Sequence, residues 1–284
     1  MYTAIASRCN TKLSHFQCLS GNQLKMIAAI CMLVDHVTKV FFASAAYRII
    51  NPMLAAGQIS SEQLRLIDFI YKQILCGIGA VAFPVFAFTF AEGFRHTHSK
   101  KRYLLRLALF ALISEFPFDA TFFGRYQEGL PGWPWYWYHQ NVFFTYLQAL
   151  CALWLMEQAN KIKSKPLSVL LQGMIMLIAC CVAQFVVYGD YRGYGVFLII
   201  VVYLLRNNRL YQILGMILAK IVFDRFYYPI SFLISLILIL LYNGKRGEKN
   251  LKPFFYGFYP IHIAIIGFLD WLIFTVLWGS IIPG

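Results

Sequence analysis

Long apolar runs broken by short polar segments dominate the chain. A helix needs about 20 predominantly apolar residues, within a range of about 17–25, to cross the hydrocarbon core of a bilayer. Nine runs read as such spans: Leu24 to Ala43, Phe69 to Ala91, Tyr103 to Phe118, Asn141 to Met156, Leu167 to Tyr188, Tyr194 to Leu205, Leu210 to Phe223, Tyr228 to Tyr242 and Phe254 to Trp278. The sixth to eighth are short, so tilt or re-entrance around residues 194–242 could shift the count by one. No internal repeat, heptad array or low-complexity tract is present, and the inverted repeat of many transporters is missing. The pattern predicts an all-α, polytopic transmembrane helix bundle over residues 21–284, preceded by a polar N-terminal segment, residues 1–20.

Composition excludes the competing classes. The 284 residues are 60% hydrophobic and 13% charged, with a mean hydropathy of +0.63. Soluble domains carry about 25% charged residues, and disordered chains are poor in hydrophobic ones. The net charge of +13 does not read as a nucleic-acid footprint. Its basic residues sit in short clusters between apolar runs, as the positive-inside rule produces. Arg8, Lys12 and Lys25 come before the first span, and Arg95, Lys100, Lys101 and Arg102 follow the second. Lys161, Lys163 and Lys165 follow the fourth, Arg206 and Arg209 the sixth, and Lys245, Arg246, Lys249 and Lys252 the eighth. Basic loops thus alternate in phase with nine spans, predicting the N-terminus inside and the C-terminus outside. Between Phe122 and Gln140, Trp133, Trp135, Tyr136, Trp137 and Tyr138 form an aromatic segment suited to the outer interface.

The seven cysteines form no disulfide framework or zinc spacing, and the six histidines are too scattered for a metal site. No signal-peptide pattern opens the chain. Phosphate-binding glycine loops, GxSxG and HExxH are absent, which argues against nucleotide hydrolysis, α/β-hydrolase chemistry and zinc proteolysis.

Ionisable residues inside apolar runs carry the candidate chemistry, because each costs about 2.5–3.5 kcal/mol at the bilayer centre unless paired, wet or functional. Asp35 and His36 lie past the middle of the first span and point about 100° apart on the helix. Either both line one polar cavity or each has its own partner. His36 can serve as a general base, or as an interhelical hydrogen-bonding group. Glu115 and Asp119 share a helix face at i,i+4 and suit either amine binding or rim solvation. Asn141 opens the fourth span, Asp190 and Arg192 read as a loop salt bridge, and Lys220 and Asp224 as a structural i,i+4 pair. On the nine-span topology all of these face the outer half. His262, in the ninth span, fits a core histidine as well as a catalytic one. Arg95 and Arg102 abut the inner membrane face, where they could clamp the phosphates of a cytoplasmic cofactor such as coenzyme A.

The chain resembles the TraX family, named for the conjugation protein that acetylates the N-terminus of F-type pilin. The resemblance rests on Leu24-Lys25-Met26-Ile27-Ala28 leading to Met32-Leu33-Val34-Asp35-His36, on Ala82-Phe83-Pro84-Val85-Phe86-Ala87-Phe88, and on Ala91-Glu92-Gly93-Phe94-Arg95-His96-Thr97. It continues through Tyr103-Leu104-Leu105-Arg106-Leu107, Ile113-Ser114-Glu115-Phe116-Pro117-Phe118-Asp119 and Asn141-Val142-Phe143-Phe144-Thr145, and weakens beyond Leu167, with Tyr256 to His262 resembling the terminal span.

That resemblance implies a multi-pass bacterial inner-membrane acyltransferase with acetyl-coenzyme A as donor and no metal. It is similar in plan to membrane acyltransferases with a catalytic histidine near the first span, which fits His36. Arg95, Arg102 and Arg106 would meet the donor phosphates. His36 would deprotonate an amine or hydroxyl, with Asp35 or Glu115 orienting it or the acceptor. Asp119, Asn141, Asp190 and Arg192 would face the acceptor, either a protein such as pilin or an envelope glycan. The partners expected are membrane lipids and that acceptor, with no nucleic acid. A transporter or flippase of an envelope precursor, or a structural partner of a secretion apparatus, would use the same buried charges without coenzyme A.

Overall fold

The computed structural model describes residues 17–123, 136–223 and 228–277. Residues 1–16 of the polar N-terminal segment, Trp133, Trp135, Asp224 and the C-terminus lie outside the described residues. Among those described there is no strand, and nine helices stand over the nine apolar runs. They are α1 (Gly21–Ala55), α2 (Ser61–Arg95), α3 (Lys100–Phe122), α4 (Val142–Ala159), α5 (Lys165–Val187), α6 (Arg192–Leu204), α7 (Arg209–Phe223), α8 (Pro229–Leu240) and α9 (Lys252–Leu277). By length and apolarity, α1, α2, α5 and α9 can each cross a membrane, while α6 and α8 are apolar but shorter. Helix length therefore supports four crossings, and the count of nine rests on the charge pattern.

Helix starts follow local chemistry. Ser20 and Gln23 close a capping box at the head of α1. Ser60 and Gln63 do the same for α2, with the Ser60 amide donating to Gln63 Oε1 over 2.7 Å. Residues 46–55 and 61–68 therefore extend α1 and α2 as helix beyond their apolar runs, with π-helical turns at Ala46–Ile50 and, inside the apolar run of α2, at Ile70–Leu75.

The middle of the bundle is the apolar stretch of α2, 72% buried, packed against α1, α4, α6 and α8. Phe83, Val85, Phe88 and Phe94 of α2 meet Leu150 and Leu153 of α4 and Leu198 and Ile200 of α6 in one continuous core. At the perimeter, the apolar stretch of α5 is only 6% buried, and it exposes Leu170, Met174, Leu177 and Phe185. On α3, Leu105, Leu109, Leu112 and Phe116 form a second exposed apolar stripe. Apolar surface on this scale is stable against lipid and not against water.

Two loop junctions fix the ends of the bundle. The Leu19 amide donates to the Leu241 carbonyl over 2.9 Å, and the Gly21 and Asn22 amides donate to Lys245 and Arg246 over 2.8 and 2.9 Å. The start of α1 is thereby tied to the α8–α9 loop. Elsewhere the Gln140 amide donates to Tyr188 over 3.0 Å, which joins the head of α4 to the tail of α5.

Candidate functional site

A cavity of about 810 Å³ follows the inner faces of α1 and α2. Asn22, Lys25, Met32, His36 and Lys39 line it from α1, and Gly79, Phe83, Phe86, Phe90 and Gly93 from α2. These positions recur every three or four residues, apart from one step of seven between Lys25 and Met32, so each helix presents one face to the cavity. From Gly21 to Lys39 the helix rise gives roughly 27 Å, close to the ~30 Å of a hydrocarbon core.

His36 is held by a partner from the far end of the chain. Its Nδ1 lies 2.7 Å from Nε2 of His262 on α9. Nδ1 of His262 lies in turn 2.6 Å from the Phe258 carbonyl. A carbonyl only accepts, so His262 Nδ1 carries a proton. In the neutral ring its Nε2 is then an acceptor, and His36 Nδ1 donates to it. His36 Nε2 keeps its lone pair, on a ring that lines the cavity. Phe122 and Tyr259 stand edge-on to that ring at 5.3 and 6.0 Å. Both histidines are buried, at 8% and 6% exposure, so the orientation is fixed by packing as well as by hydrogen bonds.

Asp35 and His36 therefore share the cavity and have different partners. Asp35 pairs with Lys39 at 2.7 Å, one turn along α1. Across from it, a Cβ at Gly79 would collide with the Asp35 carboxyl, so only glycine lets α2 come this close. Asp190 also lines the cavity, but its partner is His139 at 3.1 Å. Arg192 instead lies over the Tyr188 ring, 5.4 Å from its centroid, which replaces the expected loop salt bridge.

Glu115 and Asn141 meet at a helix junction outside the cavity lining. Glu115 Oε2 accepts from the Asn141 amide and side chain, and Asn141 Nδ2 also donates to the Ala111 carbonyl over 2.8 Å. Asn141 Oδ1 caps α4 by accepting from the Phe143 amide over 3.0 Å. The junction clamps α3 to α4, and the side chain hydrogen-bonded to His36 is that of His262. Asp119 accepts from the Tyr136 amide over 2.6 Å and is likewise outside the lining.

The basic end differs from expectation too. Arg95 and Arg102 are exposed and outside the lining, whereas Arg106 lines the cavity. Lys25, Arg246 and Lys252, read from the sequence only as topology signals, line it as well. Lys39 and His139 are the other residues that sequence reasoning left without a role, and His262 is one that it left open between a core and a catalytic place. The i,i+4 spacing of Asp35 and Lys39 was a usable signal, whereas nothing local marks His262 as the partner of His36. Among the described residues no group of three or more His, Cys, Asp or Glu side chains could hold a metal ion.

A family model described as TraX protein matches residues 20–270. A curated relative from Dichelobacter nodosus, described as probable fimbrial assembly protein FimC, serogroup H1, is 27% identical over 263 residues. The match covers 87% of this chain and 94% of that relative. No solved structure matches the chain.

Proposed function

The chain belongs to the TraX family, and on that premise we propose that it moves an acetyl group from acetyl-coenzyme A to an amine or hydroxyl on the far side of the bacterial inner membrane. The carrying observation is the unpaired Nε2 of His36 on a cavity about as long as a bilayer is thick. The proposed topology is nine crossings with the N-terminus inside, which puts the basic end of the cavity at the cytoplasm. The donor enters there, and its thioester reaches His36 about 17 Å along α1 from Lys25.

In this reading His36 Nε2 takes the proton from the acceptor nitrogen or oxygen as that atom bonds to the thioester carbonyl carbon. The carbon–sulfur bond breaks, and the same proton passes from His36 to the departing thiolate. His262 holds His36 in the tautomer this requires. A proton shared with His262 Nε2 is relayed no further, because Nδ1 of that ring ends on the Phe258 carbonyl. Tyr259 lines the cavity beside His36, and its buried hydroxyl donates to no acceptor among the described residues; turned toward the cavity, it would stabilise the carbonyl oxygen as charge develops there. Asp35 and Asp190, with Lys39 and His139, receive the acceptor.

The fimbrial assembly description of the Dichelobacter relative supports a pilin-related acceptor. The test is incubation of purified protein with acetyl-labelled coenzyme A and membranes. Label in a membrane protein or glycan, with release of free thiol, supports transfer. A cavity charged at both ends also suits a transporter or flippase, which would move its cargo with no thioester consumed.

A further inference from the structure

Four cations from four elements of the chain converge on one end of the cavity. Lys25 comes from α1, Arg106 from α3, Arg246 from the α8–α9 loop and Lys252 from the first turn of α9. Their convergence is built by the backbone. The amides of Gly21 and Asn22 donate to Lys245 and Arg246, and the Asn22 side chain donates to the Lys249 carbonyl over 2.8 Å. This seam holds the α8–α9 loop against the head of α1, so that Lys25, Arg246 and Lys252 line one end of the cavity together. Among the described residues none of the four pairs with a carboxylate. Glu92, the acidic residue lining this end, instead faces His96 at 3.9 Å.

Holding like charges together is costly unless an anion completes the site, and clustered Lys and Arg are suited to phosphate. Topogenic charge would need no such seam, since any exposed position on the loop would serve. Phe255 lines the same end, under Lys25 at 5.8 Å, and offers an aromatic face beside the cations.

We infer that the basic end of the cavity is a docking site for a phosphate-bearing ligand, held by Lys25, Arg106, Arg246 and Lys252. Identifying that ligand as coenzyme A rests on the acyl-transfer reading. Arg95 and Arg102, exposed outside the lining, add attraction for the anion without holding it. A membrane lipid headgroup offers the same chemistry from a second source.

The test uses full-length protein in nanodiscs of phosphatidylcholine alone, with labelled coenzyme A and inorganic triphosphate as separate probes. A parallel set contains labelled cardiolipin. The variants are Lys25→Gln with Lys252→Gln, and Arg246→Gln alone, each checked for monodispersity. Lys161→Gln with Lys163→Gln removes equal charge from another basic loop. The expected result is that the cradle variants bind coenzyme A about tenfold to a hundredfold more weakly, while the Lys161/Lys163 pair binds like wild type. Loss of triphosphate or cardiolipin binding in the cradle variants, with no coenzyme A binding in wild type, supports the phosphate site and removes the donor reading. The site itself is overturned if no phosphate probe distinguishes the cradle variants from wild type, or if the Lys161/Lys163 pair weakens binding equally.

Discussion

His36 and His262, 226 residues apart in sequence, lie with their ring planes 1° from parallel and share a hydrogen bond of 2.7 Å. The bond fixes which nitrogen of His36 is free, and through it the far end of the chain sets the chemistry of the first helix. His262→Phe keeps an aromatic ring and removes the acceptor. It should lower kcat by about tenfold or more, which corresponds to ~1.4 kcal/mol of barrier, and leave donor affinity unchanged. His262→Gln retains an oxygen able to accept the bond and should recover part of the rate. A rise in KM with kcat intact would show that His262 acts on binding and not through His36.

Gly79 admits the Asp35 carboxyl into the α1–α2 contact. Gly79→Ala should destabilise the detergent-solubilised protein by about 1–3 kcal/mol, the usual cost of overpacking. Combining it with Asp35→Ala should return much of that loss, since the two side chains compete for one space. Strictly additive thermal shifts would mean that the two positions do not touch.

Asn141 donates twice to Glu115 and caps α4. Asn141→Ala should therefore destabilise by more than a simple cap loss, because a buried carboxylate loses its donors, at about 1–3 kcal/mol or more. Glu115→Gln keeps an acceptor oxygen at the junction and should melt near wild type, while Glu115→Ala should not. Thermal unfolding followed by tryptophan fluorescence separates the three.

Much of this architecture can be read in the sequence, and the reasons for the rest are physical. Apolar runs locate helices because lipid demands them. They miss the helical extensions over residues 46–55 and 61–68, the second of which is polar enough to look like loop yet is capped by Ser60 and Gln63. The His36 position is legible because an ionisable residue deep in a span is expensive. Its partner is not, because a histidine in an apolar run looks the same whether it packs or bonds. Arg95 and Arg102 illustrate the converse: proximity to the membrane in sequence does not decide which face of a helix a side chain takes. Lys25, Arg246 and Lys252 become a cluster only when the α8–α9 loop folds onto the head of α1.

Reporter fusions test the orientation on which the mechanism depends. Fusions at Lys163 and Lys249 should read cytoplasmic, and those at Gly129 and Gly284 external. A cytoplasmic Gly129 would put Asp190 and His139 on the donor side and reverse the direction of transfer.

The most direct measurement is the single-turnover rate of label transfer from acetyl-coenzyme A to acceptor in membranes, for wild type against His36→Gln. The substitution keeps a polar side chain of similar size and removes the basic Nε2. The expected result is a fall of about 10²–10⁴, with donor binding and monodispersity retained. Transfer by His36→Gln at the wild-type rate, or a wild-type protein that consumes no thioester, would contradict the account.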